Sequence, residues 1–270
     1  RGVATLGALA DLPLPLAWRP KRGAAETFVR VREQARLQRD SRAGPVVFDL
    51  LDVVAGEGLS LLPEPTPGDV FLDLEGAPFA GAIGSGGREY LFGVVTLDDS
   101  GSAVYRPFWA DSLAAEKAAF ETVVDLIERA RADHPGMHVY HYAAYEPTAF
   151  KRLMCRHATR ENQIDALLRS GAFVDLYTVV RQSVRAGVER YSIKNLEPLY
   201  GYVRDVDLKD ARRHLQALEL ALELGDLEAL EPSVCPAVEG YNRDDCISAL
   251  RLRDWLEQQR AARVAAGVEI

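Results

Sequence analysis

The sequence predicts an α/β fold: a mixed central sheet, an antiparallel meander continued by parallel strands, flanked by helices and followed by a helical C-terminal half. Three observations predict it. Three β-rich runs succeed one another through turns between residues 68 and 110. A strongly amphipathic stretch, 112–132, then separates them from one further short apolar run at 137–142. From residue 173 onward the apolar spacing is mostly helical.

The elements follow in order. Residues 1–67 are set apart by a Leu/Pro run around Pro13 and Pro15 and by a second proline cluster at 63–67. Between these lies a weakly amphipathic helix, Ala24–Arg39, and GVATLGALADL reads as a short helix–turn piece, so the segment is expected to be a linker carrying one or two helices. The main domain is expected to span 68–262, leaving 263–270 as a tail. DVFLDLEG is its first strand, EYLFGVVTL its second and VYRPFWA its third. The glycine-rich GAIGSGG, 81–87, lacks the GK[ST] ending of a phosphate-cradling loop, and no helix follows it, so it reads as a flexible hairpin. Ser112 is placed to cap the helix over 112–132. MHVYHY is a short strand, and a helix begins at Glu146-Pro147, with proline in the first turn where it is tolerated. The spacing then predicts helices over 173–184, 192–201, 207–225 and 237–260.

Composition excludes several classes. With 270 residues the chain can bury a large core, and 48% hydrophobic with 27% charged residues describes a globular protein. No apolar run reaches the roughly 18 residues of a membrane span. The N-terminus lacks a signal-peptide pattern and begins with Arg rather than Met, so the chain reads as a cytoplasmic piece of a longer protein. Cys155, Cys235 and Cys246 form no CxxC pair, and the five histidines form no HExxH, which argues against zinc and iron–sulfur sites. A net charge of −8 argues against holding nucleic acid by charge alone. Clustered carboxylates that bind cations would account for part of it.

The carboxylates carry the chemistry. Asp73 and Glu75 lie two apart on a strand and so project from one face. Two acids on an otherwise apolar strand are costly unless a cation sits between them. Glu146 stands at a strand-to-helix junction in YHYAAYEPTAF, where it reads either as a ligand or as a helix N-terminal acid favoured by the dipole. In YNRDDC, Tyr241 and Asp245 are four apart on a helix and share a face, while Asp244 is expected to face solvent.

These three motifs, in this order on these elements, resemble the metal-dependent 3′–5′ exonucleases of the DEDD superfamily, in the subclass whose third motif is Tyr-x-x-x-Asp. YHYAAYEPTAFKRL and YNRDDC in particular resemble the ribonuclease H-like domain of predicted RecB-family nucleases, over roughly residues 68–258. The resemblance implies a ribonuclease H-like fold and hydrolysis of single-stranded DNA or RNA from its 3′ end with two Mg²⁺ or Mn²⁺ ions. It implies that Asp73, Glu75 and Asp245 hold one ion, that Asp73 bridges to a second, and that Tyr241 orients the attacking water. Glu146 occupies the second-motif position where the family usually has Asp, and its extra methylene would let it reach the second ion through water. The resemblance also implies fusion to an upstream RecB-like nuclease module and a downstream helicase-like module, with no membrane partner. Because of Glu146, a binding module that grips nucleic acid without cutting it is the alternative.

Among the basic residues, Lys194 near the start of a short helix reads as a phosphate contact or a solvated lysine. Arg181 and Arg185, expected four apart on one helix face, join Arg190, Lys151 and Arg152 as candidate backbone contacts. Asp175 reads as a helix N-terminal acid or as a residue that orients the site.

Overall fold

A computed structural model of the chain describes residues 3–18, 22–81 and 86–270. Most of the glycine-rich turn, 82–85, therefore lies outside the described residues. The chain divides into two compact units: Arg1–Leu61 with Tyr177–Val203 and Leu256–Ile270, and Leu62–Leu176 with Arg204–Trp255.

The first unit contains the helices α1 (Leu6–Ala10) and α2 (Ala25–Arg42) and the three-residue strand β1 (Phe48–Leu50). Thr5 caps α1 by accepting the Ala8 N–H at 3.1 Å. Two glutamines on α2 hold an extended segment from far along the chain: Gln34 donates to the Ala186 carbonyl and Gln38 to that of Val188, each at 2.8 Å. Helix α2 thus holds a later segment of the chain against itself.

The later segment also corrects the helix expected over 173–184. It is a strand, β6 (Phe173–Asp175), then a helix, α6 (Leu176–Ser183), then a strand, β7 (Val184–Ala186). β7 pairs antiparallel with β1, placing Arg185 opposite Asp49. Arg181 therefore sits on a helix and Arg185 on a strand, and they do not share a helix face. Three-residue strands are too short to display a period of two, and their valines fit either pattern.

The second unit holds the strands β2 (Val70–Ala77), β3 (Arg88–Leu97), β4 (Ala103–Trp109), β5 (Val139–His141) and β6 in the order β4-β3-β2-β5-β6. The first three pair antiparallel, and β2, β5 and β6 pair parallel. This is the mixed sheet, flanked by helices, that the sequence predicts. Its helices include α3 (Leu113–Asp133), capped by Ser112 as expected, α4 (Tyr145–His157), α5 (Glu161–Arg169), α8 (Leu208–Leu224) and the part of α9 (Val234–Ala265) that ends at Trp255. In the stretch expected to be one helix, 192–201, a four-residue α7 (Ile193–Leu196) is followed by a single 3₁₀ turn.

Alternation along the strands sorts side chains to two faces. Val70, Leu72 and Leu74 of β2 join Phe92 and Val94 of β3 in a core closed by Phe120, Val123 and Ile127 of α3 and Phe150 and Leu153 of α4. Phe71, Asp73 and Glu75 point the other way, where Leu91 of β3 packs with Leu218 and Leu222 of α8 and Val238 of α9. The start of β2 is tied to α9 by a buried ion pair. Asp69, fully buried, accepts from Arg253 at 2.6 Å, from the Thr66 amide and hydroxyl at 3.0 Å each, and from the His138 amide at 3.1 Å. The Arg253 guanidinium carbon lies 5.0 Å from the Phe71 ring centre and 5.1 Å from that of Tyr140, so its charge is paired and its plane is covered by aromatic faces.

Candidate active site

β2 and α9 bring the acids together. Asp73, Glu75 and Asp245 each offer a carboxylate oxygen, and these atoms lie within 4.8 Å of one another. Asp245 is buried and the other two are half-buried. The close approach of α9 to the sheet depends on Gly93, which lies opposite Asp73 in the β2–β3 register. A Cβ at position 93 would stand 1.7 Å from Asn242 Oδ1 and 3.1 Å from Cys246 Sγ, so only glycine leaves room for the helix.

Asn242, fully buried, is a residue that the sequence reading missed. Its Nδ2 donates to Asp73 Oδ2 at 2.7 Å and to the Asp73 carbonyl at 3.2 Å, while its Oδ1 accepts from the Tyr105 hydroxyl at 2.9 Å. Burial pushes the Tyr105 hydroxyl well above its ordinary pKa, with the thiol of Cys246 and the site's acids adding to the shift, so it stays a donor. The chain Tyr105–Asn242–Asp73 fixes the orientation of Asp73, as outer partners fix metal-binding carboxylates. The available signal was spacing: Asn242 is three residues before Asp245, on the same helix face.

Asp244, expected to face solvent, is fully buried. It accepts the Val206 N–H at 3.1 Å and the Asp205 N–H at 3.4 Å, while Arg243 pairs with Asp205 at 2.9 Å. Residues 204–206 are thereby clamped along α9. Arg204, at the start of that segment, pairs its Nη2 with Asp245 Oδ1, and its guanidinium carbon lies 5.6 Å from the Tyr241 ring centre. The side chains of Arg204 and Asp245 are only 7% and 8% exposed.

Glu146 stands apart from the three-acid group but lines the same cleft, of about 490 Å³, with Asp73 and Glu75. It is buried, and its Oε2 has no hydrogen-bond partner. His141 Nδ1 lies 3.5 Å from it, and that nitrogen already faces the Ala143 carbonyl at 2.5 Å. Burial pushes the Glu146 carboxyl above its ordinary range, offset only in part by His141. The turn before it is strained: Ala143 has φ of 72° and is held by its N–H donating to Asp175 Oδ1 at 2.8 Å. Asp175 therefore positions the turn that leads into Glu146.

In the same cleft, buried Glu89 accepts from the Tyr145 hydroxyl at 3.0 Å and pairs with Arg152. Arg88 lines it too, and the Nε atoms of Arg88 and Arg152 are buried without hydrogen-bond partners. Lys151 is exposed. Of the other basic residues singled out by sequence, Arg181, Arg185 and Lys194 belong to the first unit. Arg181 is exposed there, donating to the Tyr177 hydroxyl at 3.1 Å and lying over the Tyr177 and Tyr191 rings.

The donor set is all oxygen, which suits a hard divalent cation such as Mg²⁺ or Mn²⁺. A buried Glu146 oxygen without a hydrogen-bond partner, in the cleft that Asp73 and Glu75 also line, fits the same demand. All three cysteines are free, and burial, reinforced by the neighbouring acids, pushes the Cys246 thiol far up, so it is no nucleophile. No helix among the described residues is long and apolar enough to cross a membrane.

A family model described as the RNase H superfamily matches residues 70–257. No curated protein and no solved structure matches the chain.

Proposed function

The chain belongs to the RNase H superfamily, and from that premise we propose that its second unit is a divalent-metal-dependent nuclease acting from the 3′ end of single-stranded DNA or RNA. The single observation that carries the reading is the meeting of Asp73, Glu75 and Asp245 within 4.8 Å. In this reading these three residues hold one ion, and Glu146, across the cleft, serves a second together with Asp73. The bound ions would polarise the attacking water and neutralise charge on the phosphate. Asn242 keeps Asp73 in a fixed orientation, so the ligand set needs little reorganisation. Tyr241, one helical turn before Asp245, orients the water through its hydroxyl. Arg88 and Arg152 offer guanidinium groups to the phosphodiester backbone in the cleft, and Tyr145 offers a ring face to a base. The first-unit residues Arg181, Arg185 and Lys194 remain candidate backbone contacts.

The test is release of nucleotides from a 5′-end-labelled strand in Mn²⁺ by the chain and by its Asp73→Ala variant. Equal release by both would sink the assignment, and cutting of a circular strand would replace an exonuclease by an endonuclease. The position of Glu146 outside the three-acid group favours a second reading, a nucleic-acid-binding module without cleavage. Calorimetric titration separates the two readings: metal binding lost in Asp245→Asn supports the nuclease, and no binding by the unmodified chain supports the module.

A further inference from the structure

Arg204 is not among the residues that the three motifs supply. It reaches Asp245 from a segment, 204–206, that is anchored to α9 independently through Asp244 and Arg243. Three carboxylates within 4.8 Å repel one another strongly unless a cation lies among them, and the burial of Asp245 sharpens that demand. A cation at hand for Asp245 is the Arg204 guanidinium, itself almost wholly buried and covered on one side by the Tyr241 ring.

Resting on the metal-site reading above, we propose that Arg204 is a displaceable counter-ion: it neutralises Asp245 in the empty site and withdraws when a divalent ion binds. A guanidinium on a ligand carboxylate and a divalent cation on the same carboxylate repel each other at close range, in a setting that water screens poorly. The arginine therefore lowers metal affinity while it stabilises the metal-free fold. Because the backbone amides of Asp205 and Val206 hold their own carboxylate, the side chain of Arg204 can swing while the segment stays in place. The same movement uncovers the Tyr241 ring, so metal loading and the freeing of the water-orienting tyrosine become one event.

A neighbouring guanidinium typically changes a carboxylate's proton affinity by tenfold or more, and the same field acts on a divalent ion with twice the charge. Calorimetric titration of the 270-residue chain with Mn²⁺ should therefore find Arg204→Gln at least tenfold tighter than the parent. Arg204→Lys, which keeps the charge, should stay within about threefold. The Arg204→Gln variant should also melt lower than the parent without metal, with the gap narrowing at saturating Mn²⁺. If Arg204 instead orients Asp245 for the ion, both variants bind Mn²⁺ more weakly, and the proposal is overturned. Unchanged binding in Arg204→Gln overturns it equally. Should Arg204→Gln fail to fold, the parent chain decides by nitrogen NMR of its arginine Nε groups, with Arg204→Lys supplying the assignment. Saturating Mg²⁺ should speed water exchange at Arg204, and protection that persists refutes the withdrawal. Absence of Mn²⁺ binding by parent and variants alike removes the metal-site reading itself, a result distinct from parent binding that Arg204→Gln leaves unchanged.

Discussion

Gly93→Ala tests whether the seating of α9 on the sheet controls the acid cluster. The added methyl would lie 1.7 Å from Asn242 Oδ1, so the two atoms must separate by roughly 1.5 Å to reach ordinary contact. Asn242 cannot rotate away cheaply, because it is fully buried and both ends of its amide are engaged, by Tyr105 and by Asp73. Overpacking of this kind costs about 1–3 kcal/mol, and loss of the Asn242 bonds to Asp73 Oδ2 and to the Tyr105 hydroxyl adds about 1 kcal/mol each. The sum, roughly 3–5 kcal/mol, corresponds to a fall in melting temperature of roughly 6–20 °C for a domain of this size. Because Asp73 loses the group that orients it, Mn²⁺ affinity should fall about 10- to 100-fold. Differential scanning fluorimetry with and without Mn²⁺, together with calorimetric titration, reads both effects. Gly136→Ala is the control, since a Cβ there meets only Thr66 Cγ2 at 3.8 Å, and it should change stability by less than about 0.5 kcal/mol. A Gly93→Ala protein that melts within about 1 °C of the parent and binds Mn²⁺ within twofold would refute the argument.

Asp69→Ala removes the buried partner of Arg253 and leaves it only the partly exposed Asp254 at 2.8 Å, and should cost about 3 kcal/mol in urea denaturation, the lower end of the range for breaking a buried pair, whereas Asp69→Ala combined with Arg253→Met should recover a large part of that loss; equal losses in both proteins would show that the pair is not the source. Burial raises the Glu89 carboxyl above its ordinary value of 4.5, against the pull of Arg152 and Tyr145. The contribution of Glu89 to stability is therefore full below about pH 4.5 and is lost as pH rises through the higher folded value. In a fluorimetry series from pH 4.5 to 7, the melting temperature of Glu89→Gln should gain on that of the parent, and a difference that is flat or falls with pH would contradict the burial argument.

The long elements were legible because their periods are long. The helix over 112–132 and the helix ending at 225 show enough turns to expose an apolar stripe, and the meander strands carry both alternation and glycine punctuation. The pair Asp73 and Glu75 was legible for the same reason, since a period of two puts both on one face. Short or doubly buried segments were not. Phe173–Asp175 and Val184–Ala186 are three residues each and merge by composition with the helix between them. Asp244 was misread because what buries it, the amides of Asp205 and Val206, lies about 40 residues earlier in the chain, and backbone donors leave no trace in a sequence. Arg204 was missed on similar grounds. Its role depends on a loop crossing α9, and an arginine between Val203 and Asp205 carries no local pattern.

The distance along the chain between the acids has a consequence for synthesis. Asp73 and Glu75 leave the ribosome well before Tyr241, Asn242 and Asp245, all three of which lie on α9. A chain cut short before α9 keeps two acids on β2 with neither the third ligand nor the amide that orients Asp73. Premature termination upstream of residue 234, or a cut between residues 75 and 234, therefore yields pieces none of which alone carries the whole cluster. Whatever chemistry the site performs is restricted to copies in which α9 has been made and has docked on the sheet.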